Sequence, residues 1–168
     1  GLLFSLLITG IGSLVVLYSI GYLSKSEQLG NFYCYLLLFM GAMLGVVLSD
    51  NFIILYLFWE LTSFSSFLLI SFWREKKASI YGAQKSLIIT VLGGLSMLGG
   101  IILLSLATDT FSIQAMISKA SDIQNSPFFI LAMILFMIGA FTKSAQVPFY
   151  IWLPDAMEAP TPVSAYLH

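Results

Sequence analysis

Residues 32–73 read FYCYLLLFMGAMLGVVLSDNFIILYLFWELTSFSSFLLISFW, two apolar runs parted only by Ser49, Asp50 and Asn51. As a helix, about 20 apolar residues cross a bilayer core, and each run is close to that length. The three residues between them are of the kinds that turn a chain and cap the helix that follows. The stretch therefore reads as a tight helical hairpin within a membrane. In lipid every backbone polar group must be satisfied inside its own segment, which leaves helices or a closed barrel. Barrel strands alternate apolar and polar residues, and these runs do not.

Working outward, similar runs fall at 2–23, 79–107 and 127–147, which with 32–49 and 52–73 predict five spans, and 160–168 predicts the start of a further helix. The whole composition agrees: 59% of the 168 residues are hydrophobic and 9% are charged, whereas soluble domains carry about 25% charged residues. The expected fold is an all-α membrane protein, a polytopic bundle of about five transmembrane helices in one membrane domain spanning 1–168. The chain begins at Gly1 without methionine and stops at His168 just inside a helix-start signal, so it reads as a piece of a longer polytopic protein. The first run lacks a basic n-region and a small-residue cleavage site, which favours a span over a signal peptide.

Several function classes are disfavoured at once. A formal net charge of -1 without a long Lys/Arg run gives nothing to neutralise a row of phosphates, so nucleic acid is not an expected partner. Cys34 is the only cysteine, which excludes an internal disulfide and a thiolate metal or iron-sulfur site. No Gly-rich phosphate loop, nucleophile triad or metal-ligand cluster is legible, so no cofactor and no enzyme active site is expected.

Two crossings separate the ends of the first and third spans, so Lys25, Arg74, Lys76 and Lys77 share one side, while the other offers Asp50, Asp109, Asp122 and only Lys119. The positive-inside rule then makes the 74–77 loop cytoplasmic and the N-terminus external. Phe111, Ile113, Met116 and Ile117 among polar neighbours suit a short interfacial helix on the outer surface, or a plain loop. Gly41 and Gly45 form a GxxxG pair, and Gly93, Gly94, Ser96, Gly99 and Gly100 crowd the fourth span; close helix packing is the plain reading of both.

Glu60, Lys85 and Lys143 lie inside apolar runs, where each costs about 2.5–3.5 kcal/mol on insertion scales. Glu60 lies about 12 Å into its span at 1.5 Å per residue, near the middle of the membrane. Tyr56, Ser63 and Ser71 share its helical face, a polar stripe expected to face the interior. Lys85 lies near the start of the fourth span beside Tyr81 and can reach the interface along its aliphatic stem. After Lys143 comes SAQVPFYIWLP, where Pro148 and Pro154 each remove a backbone donor, so the fifth helix is expected to break near Lys143. Discontinuous helices with an ionisable group at the break are how transporters open backbone groups to an ion or to water. The plainer account is that Glu60 and Lys143 neutralise each other as a buried pair.

In the tail, Pro160, Thr161 and Pro162 start a new helix, with Thr161 placed as N-cap and Pro162 first in the helix. His168, the only histidine, follows inside it and titrates near neutrality when unperturbed. A lone histidine is more often a packed or hydrogen-bonded residue, so its presence alone makes no relay. Asp155 and Glu158 are expected at the cytoplasmic interface.

At WELTSFSSFLL, residues 59–69, and above all at FTKSAQVPFYIWLPDAMEAPTPVSAYLH, residues 141–168, the sequence resembles the antiporter-like membrane subunits shared by respiratory complex I and the Mrp (Mnh) multisubunit cation/proton antiporters. The tail is most similar to the largest antiporter subunit of the Mrp branch. The resemblance implies an N-terminal-half fragment of that fold in a bacterial cell membrane. It places the family's central glutamate on Glu60, the paired lysine of the broken helix on Lys143, and the histidine continuing the polar axis on His168. Lys85 matches a lysine common in the helix between them. Tyr150 stands where similar Mrp sequences carry histidine, and Val147 where phenylalanine is usual; Tyr150 exchanges hydrogen bonds but does not titrate near neutrality.

What the resemblance implies is proton translocation coupled to sodium exchange, with protons and sodium as the ions, lipid around it and the other Mrp subunits as partners. An ionised Glu60 holds the Lys143 ammonium; when the two part, burial favours release of its proton toward His168. A quinone-driven pump of complex I type is the rival, separable by whether neighbouring reading frames encode small Mrp partners or redox subunits. A scaffold bundle is the third reading. It leaves the broken helix unexplained.

Overall fold

The computed structural model describes residues 1–23 and 28–167. Among the described residues, four helices are long and apolar enough to cross a membrane: α1 (Leu2–Tyr22), α2 (Leu29–Leu48), α3 (Phe52–Ile70) and α4 (Lys77–Thr108). Two short helices follow, α5 (Ile113–Ser118) and α6 (Ala120–Asn125), then α7 (Phe129–Lys143). At 1.5 Å per residue α4 runs about 48 Å, beyond the roughly 30 Å hydrocarbon core, while α7 runs only about 22 Å. The fifth apolar run thus holds a helix too short to span, because it stops at Lys143.

The stop has a local cause. Past Ser144, Ala145 takes a left-handed φ of 53° and the Val147–Pro148 peptide is cis. Pro148 then leads a 3-10 turn, Phe149–Trp152, and Pro154 opens a four-residue helix α8 (Leu153–Ala156). The carbonyls set free are not left bare: Gln146 N–H donates to Phe141 O at 2.9 Å, and the Trp152 indole donates to Thr142 O at 2.9 Å. Buried donors to such carbonyls are what make a break tolerable in lipid. The fold is therefore the expected all-α bundle with a discontinuous fifth helix.

α9 (Thr161–Leu167) resumes the chain. Thr161 is its first residue rather than its cap, since Pro160 O already accepts from Val163 and Ser164 N–H. Its hydroxyl instead lies 3.1 Å from the Tyr22 hydroxyl of α1. Tyr166 adds a second tie, donating to Ile8 O at 2.8 Å.

The α2–α3 hairpin turns at Asn51, whose side-chain oxygen accepts from Ile53 and Ile54 N–H at 2.9 and 3.3 Å. Asp50 fastens this turn to the α4–α7 connection: its carboxylate accepts from Ser112 Oγ at 2.8 Å and from Gln114 N–H at 3.2 Å. Ser112 in turn caps α5, and Lys119 donates to the Thr108 carbonyl at the end of α4, at 2.7 Å. The 111–123 stretch is therefore helical, in two pieces. Met116 alone of its apolar residues is buried, against Leu104 and Ala132, while Ile117 stays exposed.

Small residues set the helix contacts, though not all of those the pattern suggested. A Cβ on Gly100 would stand 2.7 Å from Ala132 O, and one on Gly139 would stand 2.8 Å from Gly93 O, so α4 and α7 meet backbone to backbone. Ser96 donates across that seam to Leu135 O at 3.2 Å. Gly45 accommodates the Phe58 ring. Gly41, its expected GxxxG partner, faces open space. The α2–α3 turn brings Phe58 onto one glycine, and the other falls outside the contact.

Candidate functional site

Glu60 stands on α3, half-buried, with its carboxylate against Gly94 of α4, where any side chain would overlap Oε1. The small-residue cluster of α4 is therefore also the wall of a carboxylate pocket. Oε1 is buried and has no hydrogen-bond partner among the described residues, and the same holds for the neighbouring Trp59 Nε1. Leaving a buried polar atom bare costs about 1–3 kcal/mol, more when it is charged.

Lys143, at the last turn of α7, does not pair with it. Among the described residues no ion pair joins Lys143 to Glu60; the ammonium donates to Ser63 Oγ at 2.7 Å and lies 5.5 Å from the centre of the Trp59 ring. Direct neutralisation of the two charges is thus not what the structure holds. Ser63 is 3% exposed and lies three residues after Glu60, one turn further along the same face. Of the expected stripe, Ser63 and Ser71 are buried while Tyr56 and Glu60 are half-buried, so all four sit on the protein side.

The Lys143 ammonium opens on a cavity of about 260 Å³ between α2, α3, α4, the break and α9. Hydroxyls from Thr62, Ser63, Ser66, Ser86 and Thr90 line it together with Tyr166. That is room for several waters among donors and acceptors enough to hold them. The hydroxyls of α4 were not singled out from the sequence. Ser86 directly follows Lys85 and Thr90 lies one turn beyond Ser86, a spacing that could have pointed to them.

Lys85 behaves otherwise than a free snorkelling cation. Its Nζ lies 2.7 Å from Asp155 Oδ2, the one ion pair among the described residues, and 5.8 Å from the Tyr81 ring centre. Beside it a Cβ on Gly82 would collide with Asp155 O, so α4 and α8 are in contact there. Glu158 is exposed. Tyr150 and Val147 are exposed as well, 51% and 78%. His168 and Lys25 lie outside the described residues. No group of three or more potential metal ligands occurs among the described residues.

Residues 49–168 match the family described as NADH:quinone oxidoreductase/Mrp antiporter, TM, which is well over half of the chain. The chain belongs to that family. Residues 1–33 match a second description, NADH-Ubiquinone oxidoreductase (complex I), chain 5 N-terminus. The family is the one that residues 141–168 resemble. Na(+)/H(+) antiporter subunit A1 of Staphylococcus epidermidis is 99% identical over all of the chain, which covers 22% of that protein. Subunit A1 of Staphylococcus aureus strain JH9 is 89% identical over all of the chain and 21% of that protein. The chain thus spans about a fifth of the length of these relatives. Among solved structures, the Mrp complex from Dietzia sp. DQ12-45-1b superposes with TM-score 0.90 and 40% identity, over 98% of this chain and 18% of that one. An archaeal membrane-bound sulfane sulfur reductase shares the fold, with TM-score 0.88 at 23% identity over 96% of this chain and 33% of that one.

Proposed function

We propose that this chain is the part of a sodium/proton antiporter subunit that carries protons, working within a multisubunit Mrp-type complex whose other subunits are its partners. The observation that supports this most is the Lys143 ammonium at a helix break, facing a hydroxyl-lined cavity, with the unpartnered Glu60 carboxylate one turn from its present acceptor. An ammonium that has two acceptors within reach on one helix can be held by the first and discharged from the second. Next to ionised Glu60 it stays protonated; away from it, low polarity favours the neutral amine. The released proton passes through cavity water toward His168 and the remainder of the protein. Moving that charge across the membrane is worth about 2.3 kcal/mol per 100 mV, which ties the step to the potential that drives sodium out.

Lys85 enters this reading as a support: paired with Asp155, it holds α8 against α4 and so fixes the inner half of the break. The basic 74–77 loop faces the cytoplasm. The test uses the complete antiporter complex in everted vesicles, where sodium-induced movement of protons is followed with a pH dye. Glu60→Ala and Lys143→Ala each abolish pH-dependent exchange while the complex still assembles. Normal exchange in both assembled variants contradicts the proposal.

A further inference from the structure

We infer that Ser63 is a positioning residue: its hydroxyl, with the Trp59 ring beside it, is the seat that holds the Lys143 ammonium apart from Glu60. The inference rests on the proton-carrying reading above and says where the cation goes in the half of the cycle when its carboxylate is empty. Three observations carry it. Nζ is bonded to Ser63 Oγ at 2.7 Å although a carboxylate stands one turn away on the same helix. The Ser63 hydroxyl has the Trp59 carbonyl in range as an acceptor at 3.5 Å, shared with Thr62 Oγ1, which leaves its own oxygen open to accept from the ammonium. Glu60 Oε1 meanwhile lies buried and unpartnered in the gap at Gly94.

The physical need for such a seat is simple. If Glu60 were the only acceptor in reach, parting the charges would strand an ammonium in a medium of low polarity, and the pair would stay closed. A neutral hydroxyl accepts a hydrogen bond from the ammonium yet adds no charge to hold the proton, so it lowers the barrier to parting without locking the product. An aromatic face 5.5 Å away adds a second, weak attraction of the same kind. The other groups around the ammonium do not compete. Of the titratable residues on the packed elements, Tyr166 of α9 is spent on Ile8 O, and Lys85 of α4 is paired with Asp155 of α8. The α4 residues lining the cavity, Ser86 and Thr90, are uncharged, and Thr90 donates to its own helix.

The experiment compares Ser63→Ala and Ser63→Thr with the parent in the assembled complex in everted vesicles, measuring exchange rate across a pH series. Ser63→Ala keeps Lys143 on Glu60, so exchange falls at least about tenfold, the low end of what a hydrogen bond to a charged group is worth. The pH of half-maximal exchange also moves upward, since a closed pair gives up its proton only to a more alkaline phase. Ser63→Thr, which keeps the hydroxyl, restores both rate and profile. Should Ser63→Ala fail to assemble, Ser63→Cys, a near isostere with a weak acceptor, replaces it with the same expected outcome. Parent-like rate and profile in Ser63→Ala overturn the inference. Equal loss in the Ala and Thr variants also overturns it, because packing and not the hydroxyl is then at stake. If Lys143→Ala in the same vesicles keeps normal exchange, the underlying reading has failed; if it abolishes exchange while Ser63→Ala does not, only the seat has.

Discussion

A single buried oxygen, Glu60 Oε1, defines the site at the residue scale, because it is placed where no donor of the described residues reaches it and where the α4 backbone makes room for it at Gly94. The two glycines of that region make a controlled pair. A methyl on Gly94 would overlap the carboxylate, whereas one on Gly99 would meet only Leu135 Cδ1 at 3.5 Å, an ordinary contact. Gly94→Ala is therefore expected to cost little stability, since the overlapped atom is the end of a flexible side chain that can swing aside, but to depress exchange by displacing the Glu60 carboxylate. Gly99→Ala leaves both near the parent. Thermal unfolding of the purified complex followed by its native-size elution peak, alongside vesicle exchange, checks the contrast. That Glu60 and Lys143 are unusual residues was legible from the cost of charge in an apolar run. That Lys143 sits on Ser63 was not, since a hydrogen bond between α7 and α3 depends on which way two side chains turn after the helices have packed.

At the scale of the element, α7 and its sequel are what the sequence announces most clearly. Pro148 and Pro154 each lack a donor, and no helix of that length can absorb two such losses. The compensation was hidden. Trp152 folds back to satisfy Thr142 O from within the core, and Lys85 reaches from α4 to Asp155, contacts between residues 10 and 70 positions apart that no local pattern encodes. Trp152→Phe removes the indole donor and leaves Thr142 O the 3.3 Å bond from Ala145 N–H, so it is expected to destabilise the complex by about 0.5–1.5 kcal/mol, the net worth of one hydrogen bond. Lys85→Gln breaks a partly exposed pair, with side chains 26% and 37% exposed, and should leave assembly and thermal stability near the parent, because water screens such a pair. Exchange that persists within a few-fold in Lys85→Gln fits a strut; its abolition in an assembled complex would make Lys85 a proton carrier instead. The GxxxG pattern of α2 shows the limit of reading spacing alone: the same signal covers Gly45, which is packed, and Gly41, which is not.

For the whole molecule, the bundle is fastened at one membrane face by Asp50 and at the other by the break, with the hydroxyl-lined cavity between them. Composition was enough to fix a helical membrane bundle. The cavity was beyond reach because it is assembled from α2, α3, α4 and α9 at once. It borders α9, the last of the described helices, which is where a proton leaving Lys143 would be handed onward. All of this depends on two opposite charges being retained in lipid for what they do rather than for stability. Apolar replacement of both is the sharpest probe, since burying matched apolar groups in place of a charge pair is often neutral or stabilising. The deciding measurement is sodium/proton exchange by the assembled complex carrying Glu60→Leu together with Lys143→Leu. Intact assembly with exchange reduced to background is the result predicted here, and exchange at the parent rate would contradict it.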